Sequence, residues 1–421
     1  MNVAAAVGII GAGPAGAAAA SVLAAAGVAH DIYDEAPRSG GNLDRRRFDA
    51  PPATLEHGGL GRFFAGTPVL AVSAERVVEF IRDGGIEQRA YQAVFICTGA
   101  YDLQLPTAGR APAWSSAGAL QALLKGQGIV PSGRVVLSGA GPFLTIVGAD
   151  LARAGARVAD IVDSVSLADY AALLPHGLRQ PASLGLFVRA QAVLRRARTR
   201  LHFGVPAVAF GAQSLRLADG RVLPFDRLGV SDCFAPQTQL ARTAGCRQAY
   251  SPTGHYFYTA TDEEGRTDRP GIFVCGEGQG VRGGAHARVS GALAACAWLA
   301  GEGRPGPRDV ARLRREAARL RRFGEALERV IEKRARPIAD ADWVCGCERV
   351  TAGTVRQAIA AGLEEFGSLK IVTRCGMGNC QGRYCEPLAC RLFAAAGIVP
   401  RSPLTQKGLV RPVRAGDLVG A

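Results

Sequence analysis

The sequence predicts an α/β fold: two Rossmann-like βαβ units, then a small, mostly helical C-terminal domain. Three stretches predict it. VGIIGAGPAG (7–16) is an apolar run that breaks into glycines before an Ala-rich helical segment. RVVLSGAGPFLTIVGADLARAGARVADIVDS (134–164) repeats that grammar. CGC (345–347) and CGMGNCQGRYC (375–385) place five cysteines in two short loops beside helical segments.

The chain has 421 residues, 48% hydrophobic and 20% charged, enough for roughly two to four domains with a large core. The net charge is +14, carried almost wholly by Arg; Lys occurs only at 125, 333, 370 and 407. The arginines are dispersed and aromatics are scarce at 6%, which argues against a nucleic-acid surface. A basic surface docking an acidic partner subunit fits better. Residues 1–27 resemble a leader in hydropathy only. No Lys or Arg precedes Arg38, and Gly11, Gly13, Pro14 and Gly16 interrupt the run. No other apolar run approaches the ~20 residues of a membrane span. Eleven cysteines in a chain expected in the cytosol argue for metal or redox chemistry over disulfides. Any membrane association is expected through partners.

In the first unit, each position of G-A-G-P-A-G has a physical task. Gly11 permits the tight turn, and Gly13 lets a pyrophosphate approach the backbone. Pro14 and Ala15 open the helix, and Gly16 lets it pack on the strand. The helix N-terminus then faces the phosphates with free N–H groups. Asp34, ending HDIYDEAPRSGG (30–41), can accept bonds from a ribose diol; Glu35 is the rival, and the spacing to Gly40-Gly41 favours Asp34. VFICTGA (94–100), with Thr98 and Gly99, resembles the A-T-G element of two-dinucleotide-binding flavoproteins. GIFVCGEGQG (271–280) resembles their late Gly-Asp strand, with Gly276 and Glu277 in place. These point to FAD. Cys97 and Cys275 read as strand packing residues.

In the second unit Gly139 and Gly141 hold the first two glycine positions, Leu144 takes the third, and Asp163 closes the next strand. Its occupant is open: NAD(P), another adenine nucleotide, or nothing. No C-x-x-C lies within 1–340, so a redox disulfide of that type is not expected.

The thiols pair as C-x-C (Cys345, Cys347) and C-x4-C (Cys380, Cys385). Four thiolates near helix N-termini and glycine N–H groups suit a [2Fe–2S] cluster. Zinc prefers spacings of two to four residues within each pair, so C-x-C counts against it. Disulfides come third. Cys375 reads as a spare thiol at the loop's edge and Cys390 as core. Thr351 is placed to cap one helix, and Pro387 to sit in the first turn of another.

In these motifs the chain resembles the α subunits of bacterial hetero-oligomeric flavin dehydrogenases: D-hydroxyproline dehydrogenase, octopine and nopaline oxidases, and hydrogen cyanide synthase. GAGPAG, DEAPRSGG, TGAYD, SGAGPFL, CFAPQTQLARTAGC and GRTDRPGIFVCGEG carry the resemblance. CGC…TRCGMGNCQGRYC is similar to the [2Fe–2S] domain of bacterioferritin-associated ferredoxin. Glu277 for Asp, Cys375 where Ala is common, and GGNL (40–43) depart from the pattern. The resemblance implies a flavin-containing β subunit that oxidises an amine or amino acid, FMN at the subunit interface in some members, and a downstream electron acceptor. Two other readings stand beside it: a self-contained NAD(P)H-dependent reductase, and a non-catalytic nucleotide-binding scaffold. His286 is expected at a helix start, facing solvent or phosphate.

The expected organisation is a FAD domain (1–110 and 225–305), an inserted unit (111–224), a helical linker (306–337), a [2Fe–2S] domain (338–400) and a tail (401–421).

Overall fold

The computed structural model describes residues 5–44, 60–105, 114–178, 180–307, 309–404 and 408–419. Short, wholly buried apolar runs become the strands of a parallel sheet, as a sheet covered on both faces requires. In the first unit the order is Ile272–Val274, Ala93–Ile96, Val7–Ile10, His30–Tyr33, Gly61–Phe64. The helix Pro14–Ala25 is Ala-rich because it is squeezed between this sheet and the long helix Gly284–Gly301. There Gly291 abuts the Ala15 carbonyl, leaving no room for a side chain. An antiparallel meander (Val69–Val72, Val77–Arg82, Gly85–Ala90) extends this unit.

The second sheet is also parallel, in the order Arg200–Phe203, Arg157–Asp163, Arg134–Gly139, Arg227–Ser231, Trp114–Ser116. Arg227–Ser231 pairs with Arg134–Gly139, so the inserted unit runs past 224 and takes in a strand expected in the FAD domain. The other expected edge, at 110/111, lies outside the described residues. Two antiparallel strands, Ala100–Leu103 and Cys233–Pro236, carry the chain across between the units.

The Arg/Glu-rich stretch forms the helix Val310–Lys333, capped by Asp309, and most of its charges face water. It is more than a linker. Leu320 packs on Val289 and Leu293, and Gly324 rests on Arg282. The C-terminal module has helices Ala352–Ala360, Phe366–Thr373 and Cys385–Ala395 around a small core. Thr351 caps the first of these through the Thr354 N–H. Described residues of the tail pack on the first unit. Val410 is buried there with its N–H on the Leu70 carbonyl, and Arg411 pairs with Glu35. Among the described residues no helix is long and apolar enough to cross a membrane.

Candidate functional site

The first glycine loop leaves its strand at Gly11. A side chain at Gly16 would collide with the Gly11 carbonyl, so the helix packs as closely as the pattern predicts. At Gly13 an added Cβ would make only an ordinary van der Waals contact, with Gly41 Cα at 3.8 Å. Gly41 itself needs its missing side chain, because a Cβ there would meet Gly13 Cα at 2.9 Å. The helix starts at Pro14 with no side-chain cap, which leaves its N–H groups to whatever binds. Asp34 takes the Ala12 N–H at 2.7 Å and the Ala36 N–H at 2.8 Å, which turns it into the loop. Glu35 points elsewhere, to Arg411.

The other two first-unit elements lie at the same sheet end. Thr98 donates its hydroxyl to the Gln237 carbonyl, and Gly99 follows with φ 75°. Gly276 sits between the first turns of two helices, against Ala15 and Ala287. The Glu277 carboxylate folds back onto the N–H groups of Gly283 and Arg282, at 2.8 and 3.2 Å. Burial pushes its pKa up to about 7, against the pull of those donors. His286 is buried, not solvent-facing, and its Nδ1 has no partner among the described residues. Burial, then the charges of Arg282 and Arg321, push it down to about 3, so it is neutral at physiological pH. Cys97 and Cys275 are core residues.

The second glycine loop differs at the one place that matters for a phosphate. A Cβ on Gly141 would meet Ile331 of the Val310–Lys333 helix at 2.9 Å. The position where a pyrophosphate would touch the backbone is filled by this chain's own side chain. Arg334 continues the cover, bonded to Asp169 at 2.7 Å, and Arg336 stacks over Phe210. What remains between Ser138–Ala140, Ser164 and Arg334–Arg336 is a pocket of about 20 Å³. Asp163 is fully engaged by the Gly141 N–H, the Val165 N–H and the Tyr170 hydroxyl, at 3.0, 2.9 and 2.5 Å. Leu144 is wholly buried in that unit's core.

Of the four expected cysteine ligands, Cys345 and Cys385 come together, and the third member of their group is Cys375: the three Sγ atoms lie within 4.8 Å of one another. Cys347 is exposed and Cys380 half-buried beside them in the same two loops. Hydrogen bonds from Cys375 and Cys385, then from the Gly376 and Glu348 N–H groups, hold Cys345 far below the usual thiol range. Cys380 falls to about 5, chiefly through Cys385, with the Tyr384 and Gly382 N–H groups assisting. Gly378 lies directly against Cys347, where any side chain would intrude. Cys390 is buried outside this group.

Residues 5–298 match the family model for pyridine nucleotide-disulphide oxidoreductases, and residues 343–395 match that for BFD-like [2Fe–2S] binding domains. The chain belongs to the pyridine nucleotide-disulphide oxidoreductase family. Within that family it is 31% identical to an opine oxidase subunit from Agrobacterium tumefaciens, over 97% of this chain and 90% of that protein. It is 29% identical to hydrogen cyanide synthase subunit HcnB of Pseudomonas aeruginosa, over 90% of each. Among solved structures, L-proline dehydrogenase from P. horikoshii shares the fold, with a TM-score of 0.66 and 18% identity. That match covers 98% of this chain and 79% of that one.

This oxidoreductase is thus an FAD- and [2Fe–2S]-dependent member of the family, and its residues fit both groups. The open face of Gly13 beside an uncapped helix start suits a dinucleotide. A buried all-sulfur donor set, supplied with backbone N–H groups, suits an iron–sulfur core. The cluster module is also seated on the flavin-binding part. Leu103 and Leu105 lie in its core, and Tyr101, two residues past Gly99, donates to the Arg383 carbonyl and packs edge-on against Tyr384. Arg242 grips Glu386 through two bonds of 2.8 and 3.1 Å, both side chains buried.

Proposed function

We propose that this chain is the electron-transferring α subunit of a hetero-oligomeric dehydrogenase. A partner β subunit with its own flavin would oxidise an amino acid or opine-type secondary amine, of the class of D-hydroxyproline, octopine, nopaline or glycine. FMN at the subunit interface would link the two. The names of the opine oxidase and hydrogen cyanide synthase relatives support this reading. One observation carries it: the thiol module rests on the strand that leaves Thr98-Gly99, while Ile331 fills the cleft through which a nicotinamide would act.

Bound FAD takes up two electrons together and releases them singly, which suits a one-electron cluster. The chain's own residues do the rest. In this reading Gly11, Gly13, Pro14, Ala15 and Gly16 cradle the FAD pyrophosphate, and Asp34 takes the ribose. Thr98, Gly99, Gly276 and Glu277 border the flavin end. Cys345, Cys347, Cys380 and Cys385 are the cluster ligands. Tyr101 and the buried Arg242–Glu386 pair fix the distance between the two centres. The acceptor docks at the exposed Cys347 edge. The protein works in the cytoplasm.

The test is anaerobic reduction of the chain co-purified with its partner. An opine or imino acid should bleach the flavin and produce the paramagnetic signal of a reduced cluster; NADH and NADPH should do neither. Fast reduction by NADH with no amine present would favour the self-contained reductase instead.

A further inference from the structure

Five thiols stand where a [2Fe–2S] cluster needs four. The sulfurs of Cys345, Cys375 and Cys385 lie within 4.8 Å of one another, and Cys347 and Cys380 flank this buried trio on its exposed side. Exposure rises along the group. Cys375 is wholly buried, Cys345 and Cys385 are 1% exposed, Cys380 is half-buried and Cys347 is exposed. Each iron of such a cluster takes two terminal thiolates. The outer pair is Cys347 and Cys380. The inner iron has three claimants within 4.8 Å of one another.

Cys345 is singled out by the N–H groups of Gly376 and Glu348. The sulfurs of Cys375 and Cys385 both lie within 4.8 Å of that of Cys345 and of one another, so they stand in like relation to it. They come from different supports. Cys385 begins the helix Cys385–Ala395, whereas Cys375 follows Arg374 in the left-handed region, with its N–H on the Thr373 hydroxyl. One thiol can therefore be lost or displaced without moving the other.

We infer that Cys375 and Cys385 are interchangeable ligands: the inner iron is held by Cys345 with either of them. This rests on the iron–sulfur reading of the site. In the exchange the Fe–S bond to one thiolate breaks as the other forms. The incoming thiol's proton passes to the outgoing sulfur, so the charge and oxidation state of the iron are unchanged.

The full chain, co-expressed with its partner, is made as Cys375→Ala, Cys385→Ala, the double variant and Cys347→Ala. Iron and acid-labile sulfide per chain, and the g-values of the reduced cluster, are measured with flavin content as the folding control. Cys375→Ala should keep its iron with unchanged g-values. Cys385→Ala should keep its iron with shifted g-values. The double variant and Cys347→Ala should lose it. A flavin-loaded Cys385→Ala chain without iron overturns the interchange, as does loss of iron in Cys375→Ala. Independently of how Cys385→Ala folds, Cys375→Ala should release iron to a chelator several-fold faster than wild type; an equal rate overturns the idea. Zinc without iron or sulfide in the wild type would instead overturn the cluster reading itself.

Discussion

The two glycine loops have nearly the same sequence, GAGPAG and GAGPFL, and opposite fates. Above Gly13 there is room for a phosphate; above Gly141 there is Ile331. The acids that follow are bonded alike, each accepting a loop N–H and the N–H two residues on; Asp163 differs in being fully buried and in taking the Tyr170 hydroxyl as well. A Rossmann sheet is therefore no evidence of a bound nucleotide; the space over the second glycine is. In the second unit the Val310–Lys333 helix places Ile331 over that glycine.

The sharpest way to break this contrast is to fill the two spaces in turn. Gly13 has φ −76°, so a side chain costs little in backbone terms and lands in the phosphate space. Gly13→Val should reduce bound flavin by about ten-fold or more (a ~1.4 kcal/mol loss or greater) in a chain that still folds, read as flavin absorbance per protein. Gly141→Ala should keep its flavin and lower only the melting temperature, because φ +96° and Ile331 both oppose it. Undiminished flavin in Gly13→Val would remove the dinucleotide from this loop.

The module's two attachments differ in the same sense. On the first unit it is held by the buried Arg242–Glu386 pair; towards the second, by the more exposed Arg334–Asp169 pair. Removing one partner of a buried pair leaves an uncompensated charge. Arg242→Ala should cost about 3–5 kcal/mol, seen in thermal melts together with faster loss of iron. Arg334→Ala should cost less than about 1 kcal/mol.

Glu277 gives the first unit a pH signature. Its folded pKa lies above the unfolded value, so the folded state binds more protons between about 4.5 and 7. Its contribution to stability is present below that window and is lost as pH rises through it. Glu277→Gln should flatten the decline in melting temperature between pH 5 and pH 8, an effect on the order of 2 kcal/mol. An unchanged slope would assign the decline to another group, such as Asp102, which burial also raises to about 7.

What was legible in the sequence is what adjacent residues determine. Gly11, Gly13, Gly16 and Asp34 act through one turn and one strand, so their spacing carried the first site. Thr351 and its cap were readable for the same reason. The choice of Asp34 over Glu35 was made on spacing to Gly41, and the fold turns Glu35 away to Arg411. The strap was not legible, because Ile331 and Gly141 are far apart in the chain and a lone Ile in an Arg/Glu-rich helix carries no motif. Cys375 was misjudged as peripheral. Cys375, Cys380, Cys385 and Cys390 recur every five residues; the apolar helical run around Cys390 marks it as core, but only the fold of the loop turns Cys375 inward. His286 does lie at a helix start, as its place after Gly283-Gly284 implies, but it is buried rather than facing solvent. The boundary at 224/225 falls just before the strand Arg227–Ser231, whose pairing with Arg134–Gly139 joins residues nearly a hundred apart and leaves no local signal.

A modest predicted effect tests the cover over Gly141 most directly. Ile331 is half-buried, so Ile331→Ala should cost about 1–2 kcal/mol, below the range for a fully buried site. It clears the space above Gly141 but does not free Asp163 or replace Leu144 with the small residue that close helix packing needs. The cleared cleft should therefore still bind NADH weakly. Calorimetry should find no saturable NADH or NADPH site in wild type, and at most a weak one in Ile331→Ala, while flavin content stays the same. Tight binding to the wild-type chain at this cleft would mean that the helix lifts away in solution, and the contrast between the two loops would then be one of affinity rather than of occupancy.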